Sequence, residues 1–200
     1  MKNLELKATF TDFRRARRIL RMVHARREPR PLVQADWYFT VPRGRLKLRR
    51  RKGERGGEVI FYVRPDAERP RASEFQPLPT ADAAHMLRLL RAMFTLRVCV
   101  RKRRELWLLG ETRIHLDQVD GLGRFLEIEV PVTQGIGEAR GVMRMLVKEL
   151  AIDAASVLGG SYADLLARRL ATRKKGSGLR AQQNAVTTDL TPGSCKMLPR

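Results

Sequence analysis

Polar and apolar residues alternate with a period of two along most of the chain, the pattern of β-strands with two unlike faces. In one segment, Arg45, Lys47 and Arg49 alternate with Leu46 and Leu48. The alternation predicts strands near residues 3–10, 33–40, 45–51, 58–64, 72–77, 96–104, 105–110, 112–118 and 124–131. The turns between them are short and contain glycine or proline, so neighbouring strands should run antiparallel.

Other segments repeat apolar residues every three to four positions, which predicts four helices. The first begins after Asp12, a residue type that caps helix N-termini, and the second follows Thr80. The third and fourth are predicted near residues 136–151 and 162–170. We expect one domain over residues 1–172, followed by a basic, disordered tail over residues 173–200.

The strands are unusual because several of them place regularly spaced charges on one face and aliphatic residues on the other. Such a sheet could leave its charged face in water, or it could close so that the charges line a lumen and helices cover the exterior. Closure removes the exposed edges of the strands, which favours it. The segment 96–104 fits less well, since Val98 and Val100 share a face with Lys102 and Arg104. A bend that moves this strand from core to lumen is expected.

The formal net charge is +20, which favours polyanionic partners. The inward-facing cations are predicted to be Lys7, Arg45, Lys47, Arg49, Arg64, Lys102, Arg104 and Arg113, and the inward-facing acids Glu5, Asp117, Glu127 and Glu129. So many cations in one lumen would repel each other without an anion, and the carboxylates would do so without a hard cation such as Mg²⁺ or Mn²⁺. A triphosphate with its metal satisfies both sets.

A charged strand face is more often a solvated surface, and any single pair of these charges is weak evidence for a site. The same parity recurs over five strands, with basic strands separated from acidic ones. The recurrence therefore carries the prediction of a binding cavity.

The sequence resembles a known family, the CYTH-domain proteins of the triphosphate tunnel metalloenzyme superfamily. The matching segments occur in the expected order and cover about residues 1–170. They are Asn3-Leu4-Glu5-Leu6-Lys7-Ala8, Gln34-Ala35-Asp36-Trp37-Tyr38-Phe39, Gly44-Arg45-Leu46-Lys47-Leu48-Arg49, Arg113-Ile114-His115-Leu116-Asp117 with Gly121-Leu122-Gly123, Phe125-Leu126-Glu127-Ile128-Glu129, and Ser161-Tyr162-Ala163-Asp164-Leu165-Leu166.

The resemblance implies an α+β fold, a closed eight-stranded antiparallel β-tunnel with helices packed on the outside. It also implies metal-dependent chemistry on triphosphate compounds, as in class IV adenylyl cyclases, thiamine triphosphatases, inorganic triphosphatases and RNA 5′-triphosphatases. Carried over by position, the metal ligands are Glu5, Asp117, Glu127 and Glu129, and the catalytic residues are Lys7, Asp117 and Glu129. The phosphate-binding residues are Lys7, Arg45, Lys47, Arg49, Arg64, Lys102, Arg104 and Arg113.

One residue departs from the family motif Glu-x-Glu-x-Lys, because Asn3 replaces the first acid. Asn3 can offer a metal one neutral oxygen, but it supplies no charge and cannot act as a base. A second metal is therefore expected to bind only with substrate.

The leading hypothesis is a metal-dependent phosphohydrolase acting on inorganic triphosphate, a nucleoside triphosphate or thiamine triphosphate. The alternatives are a class IV adenylyl cyclase, which makes cyclic AMP and pyrophosphate from ATP, a non-catalytic polyphosphate binder, and a general nucleic-acid-binding protein. Inward charges argue against duplex binding, which needs an outward basic patch, and leave only a 5′-triphosphate end as a nucleic-acid partner. No apolar run predicts a signal or a membrane span, so we expect a cytoplasmic protein. We also expect it to be a monomer or a homodimer.

Overall fold

The computed structural model describes residues 2–63 and 71–180 of the chain. The strands within these residues are Lys2–Thr9 (β1), Arg26–Arg27 (β2), Leu32–Phe39 (β3), Arg45–Arg51 (β4), Gly57–Val63 (β5), Arg71–Thr80 (β6), Leu96–Leu109 (β7), Thr112–Val119 (β8) and Gly123–Pro131 (β9). The helices are Phe13–Met22 (α1), Ala83–Met93 (α2), Ile136–Glu149 (α3) and Tyr162–Arg180 (α4), with a short 3₁₀ turn at Ala154–Ser156.

The strands form one curled antiparallel sheet with the order β2-β7-β3-β4-β5-β6-β1-β9-β8. Strand β7 also pairs with β8, over Lys102–Leu109 of β7. The two-residue strand β2 pairs with β7 at Trp107 and Leu108, so eight long strands carry the fold. The predicted class, an antiparallel sheet with helices, is confirmed.

Helices cover the outer, apolar face of the sheet. Helices α1 and α3 pack on β1, β8 and β9, and α2 packs on β3 and β4. Asp12 caps α1 as predicted, since its carboxylate accepts a hydrogen bond from the backbone N–H of Arg15 at 2.9 Å. Asp82 caps α2 in the same way. No described helix has the length and hydropathy needed to cross a membrane.

One apolar cluster lies on the inner face, at the end of the sheet where α4 begins. It contains Tyr38, Val98, Val100, Val119, Phe125, Tyr162 and Ala163, packed together. The predicted bend in strand 96–104 is therefore unnecessary. The valines of β7 face inward like Lys102, and they contact the first turn of α4 instead of the outer core.

Three boundaries differ from the sequence predictions. The segments predicted as separate strands, 96–104 and 105–110, form the single strand β7, because the alternation continues through Leu106 without a turn residue. Strand β2 was not predicted, since two arginines alone give no alternating pattern. Helix α4 continues to Arg180, so the first part of the predicted tail is helical, and residues 181–200 lie outside the described residues.

Candidate active site

A cavity of about 380 Å³ lies against the inner face of the sheet. Its lining includes most of the charged residues predicted from the sequence, contributed by β1, β4, β7, β8 and β9. They are the cations Lys7, Lys47, Arg49, Lys102, Arg104 and Arg113 and the acids Glu5, Glu127 and Glu129. The strand alternation thus brings cations and carboxylates from distant parts of the chain to one cavity.

The register between β1 and β9 places charged residues of the two strands directly opposite each other. Lys7 lies opposite Glu127, and Glu5 lies opposite Glu129. The residues between them, such as Leu6 and Ile128, point to the opposite face and are buried under the helices. Within this one pair of strands, the period of two therefore directs the charged side chains to the cavity and the aliphatic side chains to the core.

A buried network of ion pairs is centred on Arg104. Its guanidinium donates to both oxygens of Asp117, at 2.7 and 2.6 Å, and to Glu127 Oε2 at 2.6 Å. The other oxygen of Glu127 accepts a hydrogen bond from Lys7 Nζ. Burial acts to raise the pKa of Glu127, but the charges of Lys7 and Arg104 outweigh burial and hold the pKa well below its usual range. Glu127 is therefore ionised at neutral pH.

Asp117 lies behind the cavity and does not line it. It is fully buried, and besides Arg104 it accepts a hydrogen bond from the Tyr162 hydroxyl at 2.9 Å. The Tyr162 ring also lies 4.0 Å from Lys7 Nζ, measured to the ring centroid. Asp117, which the resemblance assigns as a metal ligand, holds Arg104 in this structure and joins the start of α4 to the network.

Asp36 holds two cations of the cavity, and the sequence alone leaves a turn or rim role and a catalytic role equally open for it. Its carboxylate is buried and accepts two hydrogen bonds from Arg49, at 2.8 and 3.0 Å, and one from Lys47 at 3.3 Å. Burial acts to raise the pKa of Asp36, but the charges of Arg49 and Lys47 hold it well below its usual range. Its position between Gln34 and Tyr38, on the same strand face, was the available signal.

Two lysines of the cavity have lowered pKa values. Burial, together with the charge of Arg49, lowers the pKa of Lys47 to about 8. Burial and the charge of Arg104 lower the pKa of Lys102 to about 7. Deprotonation of these two lysines therefore lowers the positive charge of the cavity near neutral pH.

His115 and two glutamates form a group that fits a metal ion. The ligand atoms of His115, Glu127 and Glu129 lie within 4.8 Å of one another. The buried Nδ1 of His115 has no hydrogen-bond partner, although it lies 3.5 Å from Glu129 Oε1 and 3.6 Å from Glu127 Oε2. Burial and Arg104 lower the pKa of His115, which keeps the ring neutral and able to ligate. From the sequence alone, His115 is expected on the inner face, as a hydrogen-bonded wall residue or in contact with phosphate.

Asn3 is connected to the acidic side of the cavity through Arg113. Arg113 Nε donates to Glu129 at 3.0 Å. With the Asn3 amide in the orientation that satisfies both groups, its oxygen accepts a hydrogen bond from Arg113 Nη2 at 3.0 Å. Asn3 therefore helps to orient an arginine at the position where the family motif has an acid.

Among the described residues, one predicted phosphate-binding residue, Arg45, is not part of the cavity lining. Arg45 donates to Asp164 at the first turn of α4, at 3.1 Å, and Arg97 pairs with the same carboxylate at 2.9 Å. Burial acts to raise the pKa of Asp164, but hydrogen bonds from Ser161 contribute to lowering it to about 2. Arg64 lies outside the described residues.

The cavity thus combines cations with carboxylates, and the pKa values of Glu127 and Glu129 lie below their usual range. The chain belongs to the CYTH domain family, whose model matches residues 1–158. Among curated proteins, no sequence match was found.

Solved structures share the fold at low sequence identity. The PH1012 protein of Pyrococcus horikoshii superposes with a TM-score of 0.73 at 21% identity, over 82% of this chain and 98% of its own. Two proteins described as putative adenylate cyclases are also similar. The one from Vibrio parahaemolyticus has a TM-score of 0.64 at 20% identity, over 82% of this chain and 97% of its own. The one from Hippeastrum, described as having a dominant triphosphatase activity, has a TM-score of 0.55 at 13% identity, over 84% of this chain and 96% of its own.

Proposed function

We propose that this protein is a metal-dependent phosphohydrolase that binds a triphosphate-containing substrate in a closed, basic tunnel. The observation that carries the proposal is the convergence of six cations and three carboxylates on one cavity. Membership of the CYTH family, which includes triphosphatases and adenylyl cyclases, supports it. A solvated charged face, the alternative left open by the sequence pattern, does not bury its charges in this way.

Strand pairing supports the closed tunnel. Strand β7 is bonded to β3 along one edge and to β8 along the other. Following the ladder from β3 through β4, β5, β6, β1, β9 and β8 returns to β7. Each of the eight long strands then has two neighbours, so the backbone groups of the strand edges are paired with each other.

The proposed phosphate-binding residues begin in ion pairs, so substrate must exchange partners with carboxylates. Arg49 and Lys47 are held by Asp36, while Lys7 and Arg113 are held by Glu127 and Glu129. Phosphate oxygens can replace a carboxylate because they accept the same charge-assisted hydrogen bonds. In the proposal, Lys7 and Arg113 turn to phosphate when Glu127 and Glu129 hold the cation.

The metal ligands in the proposal are Glu5, Glu127 and Glu129, with His115 as an added nitrogen donor. Carboxylate oxygens suit Mg²⁺ and Mn²⁺, and the unpartnered His115 Nδ1 beside them fits a bound cation. The metal would neutralise charge on the phosphoryl group and position the attacking water. Asp117 then acts by orienting Arg104, which can stabilise charge on the phosphates.

The test measures product formation from three substrates. Purified protein is incubated with tripolyphosphate, ATP or thiamine triphosphate, with Mg²⁺, Mn²⁺ or EDTA, and phosphate, pyrophosphate and cyclic AMP are quantified. Phosphate release that requires the metal is expected. Lys47→Ala and Glu127→Ala should each abolish turnover while the circular dichroism spectrum remains that of a folded chain, and Lys148→Ala, exposed on α3, should retain activity.

Other outcomes would identify the alternatives. Cyclic AMP with pyrophosphate would assign the cyclase reaction, which the names of the Vibrio and Hippeastrum proteins also suggest. Tight triphosphate binding without any turnover would assign a binding protein. Normal turnover in Lys47→Ala or Glu127→Ala would remove that residue from the site and contradict the proposal.

A further inference from the structure

The cavity has an apolar part in addition to its basic part. On β7, Lys102 and Arg104 face the cavity, and Leu106, the next inward residue, also lines it. On β3, Leu32 lines the cavity where that strand pairs with Arg104. Both leucines are only half-buried, so this end is accessible to solvent. Three phosphate groups gain nothing from aliphatic walls, whereas an attached organic group does.

Gln34 lies next to this apolar part and has an unsatisfied acceptor. Its side chain lines the cavity and is 2% exposed, and its buried Oε1 has no hydrogen-bond partner. A buried amide oxygen left without a donor costs about 1–3 kcal/mol, so such groups are rarely left unpaired. Gln34 Oε1 thus lacks a donor, which a molecule bound in the cavity that Gln34 lines could supply.

The two cations beside Gln34 do not satisfy this oxygen. Gln34 lies opposite Arg51 on β4 and opposite Lys102 on β7. Arg51 instead pairs with Glu58 at 3.1 Å and with Glu54 at 3.5 Å. Lys102 is directed to Asp117, with an N–O distance of 3.8 Å. The neighbours that could have donated to Gln34 are thus turned to other acceptors.

We propose that Gln34 accepts a hydrogen bond from an N–H or O–H group on the organic part of the substrate, while Leu32 and Leu106 pack against that part. The substrate class is then a triphosphate monoester whose organic group carries a donor, as a nucleoside or an aminopyrimidine does, and not inorganic triphosphate. This inference rests on the proposed function, since it assumes that the basic part of the cavity binds the phosphates.

The test compares three probes that share the phosphates and differ in the rest. The first is ATP, whose organic part carries hydrogen-bond donors. The second is methyl triphosphate, an ester whose organic part has no donor, and the third is tripolyphosphate. Dissociation constants are measured by calorimetry in EDTA, and kcat/KM is measured with Mg²⁺. Gln34→Leu removes the acceptor at nearly constant volume, and Gln118→Leu makes the same change at an exposed position of β8 as a control.

We expect Gln34→Leu to weaken ATP binding and kcat/KM about 3- to 10-fold, the loss of one hydrogen bond, with tripolyphosphate and methyl triphosphate changed less than about 2-fold. Gln118→Leu should change none of them. Unchanged ATP binding, or an equal loss for all three probes, would overturn the inference while leaving the proposed function standing. Failure of the wild-type protein both to bind any of the three probes in EDTA and to turn any of them over with Mg²⁺ would instead refute the proposed function.

Discussion

The buried carboxylate of Asp36 offers a direct test of the charge balance in the cavity. It is 1% exposed and carries three hydrogen bonds from Arg49 and Lys47. Asp36→Asn keeps the shape but removes the charge, and its amide group places a donor against donors. Removing one partner of a buried ion pair costs about 3–5 kcal/mol, and the retained oxygen favours the lower end. We therefore expect about 3 kcal/mol of lost unfolding free energy.

The full loss of unfolding free energy in Asp36→Asn should be measurable at pH 7. Because the folded-state pKa of Asp36 is lowered, its stabilising contribution is present above the unfolded-state pKa and is lost only as pH falls through the folded-state value. A loss of about 3 kcal/mol lowers the Tm by about 6–12 °C for a chain of this size. Urea denaturation and thermal melts measure both quantities, and Asp120→Asn, in an exposed turn, is the control.

Tripolyphosphate provides the second half of this test. Its anionic oxygens can replace the missing carboxylate between Arg49 and Lys47, so one fixed concentration should raise the Tm of Asp36→Asn more than that of the wild type. A stability loss below about 1 kcal/mol would show that the ion pairs contribute little. Equal increments of Tm in both proteins would show that these cations do not contact the phosphates.

Three further predictions concern the same cavity. Because the pKa of Lys47 is about 8, tripolyphosphate affinity should fall as pH rises through 8, and Lys47→Met but not Lys148→Met should remove that step in calorimetry. His115→Leu should abolish the rise in Tm that Mn²⁺ causes, whereas His85→Leu, on α2, should retain it; an unchanged rise would exclude His115 as a ligand. Asn3→Glu should lower the Mg²⁺ concentration needed for half-maximal turnover, and no change would exclude position 3 from metal binding.

The alternation of residue types was sufficient to predict which residues of a strand share a face, although it left open whether the charged face turns inward or meets water. Lys7, Lys47, Lys102 and Arg104 face the cavity as predicted, because the period of a strand is a local property that needs no knowledge of its neighbours. The helix starts at Asp12 and after Thr80 were predictable for the same reason, since capping involves residues close in sequence.

Which charges pair with each other was decided by the tertiary structure. Asp117 accepts hydrogen bonds from Arg104 and Tyr162, and Asp164 accepts one from Arg45; neither set of contacts could be read from the strand pattern. These contacts depend on strand register and on where α4 meets the sheet, and both bring together residues far apart in the chain. The local sequence determines which side chains lie on each face of a strand. Their hydrogen-bond partners, at about 3 Å, are determined only when the sheet has formed.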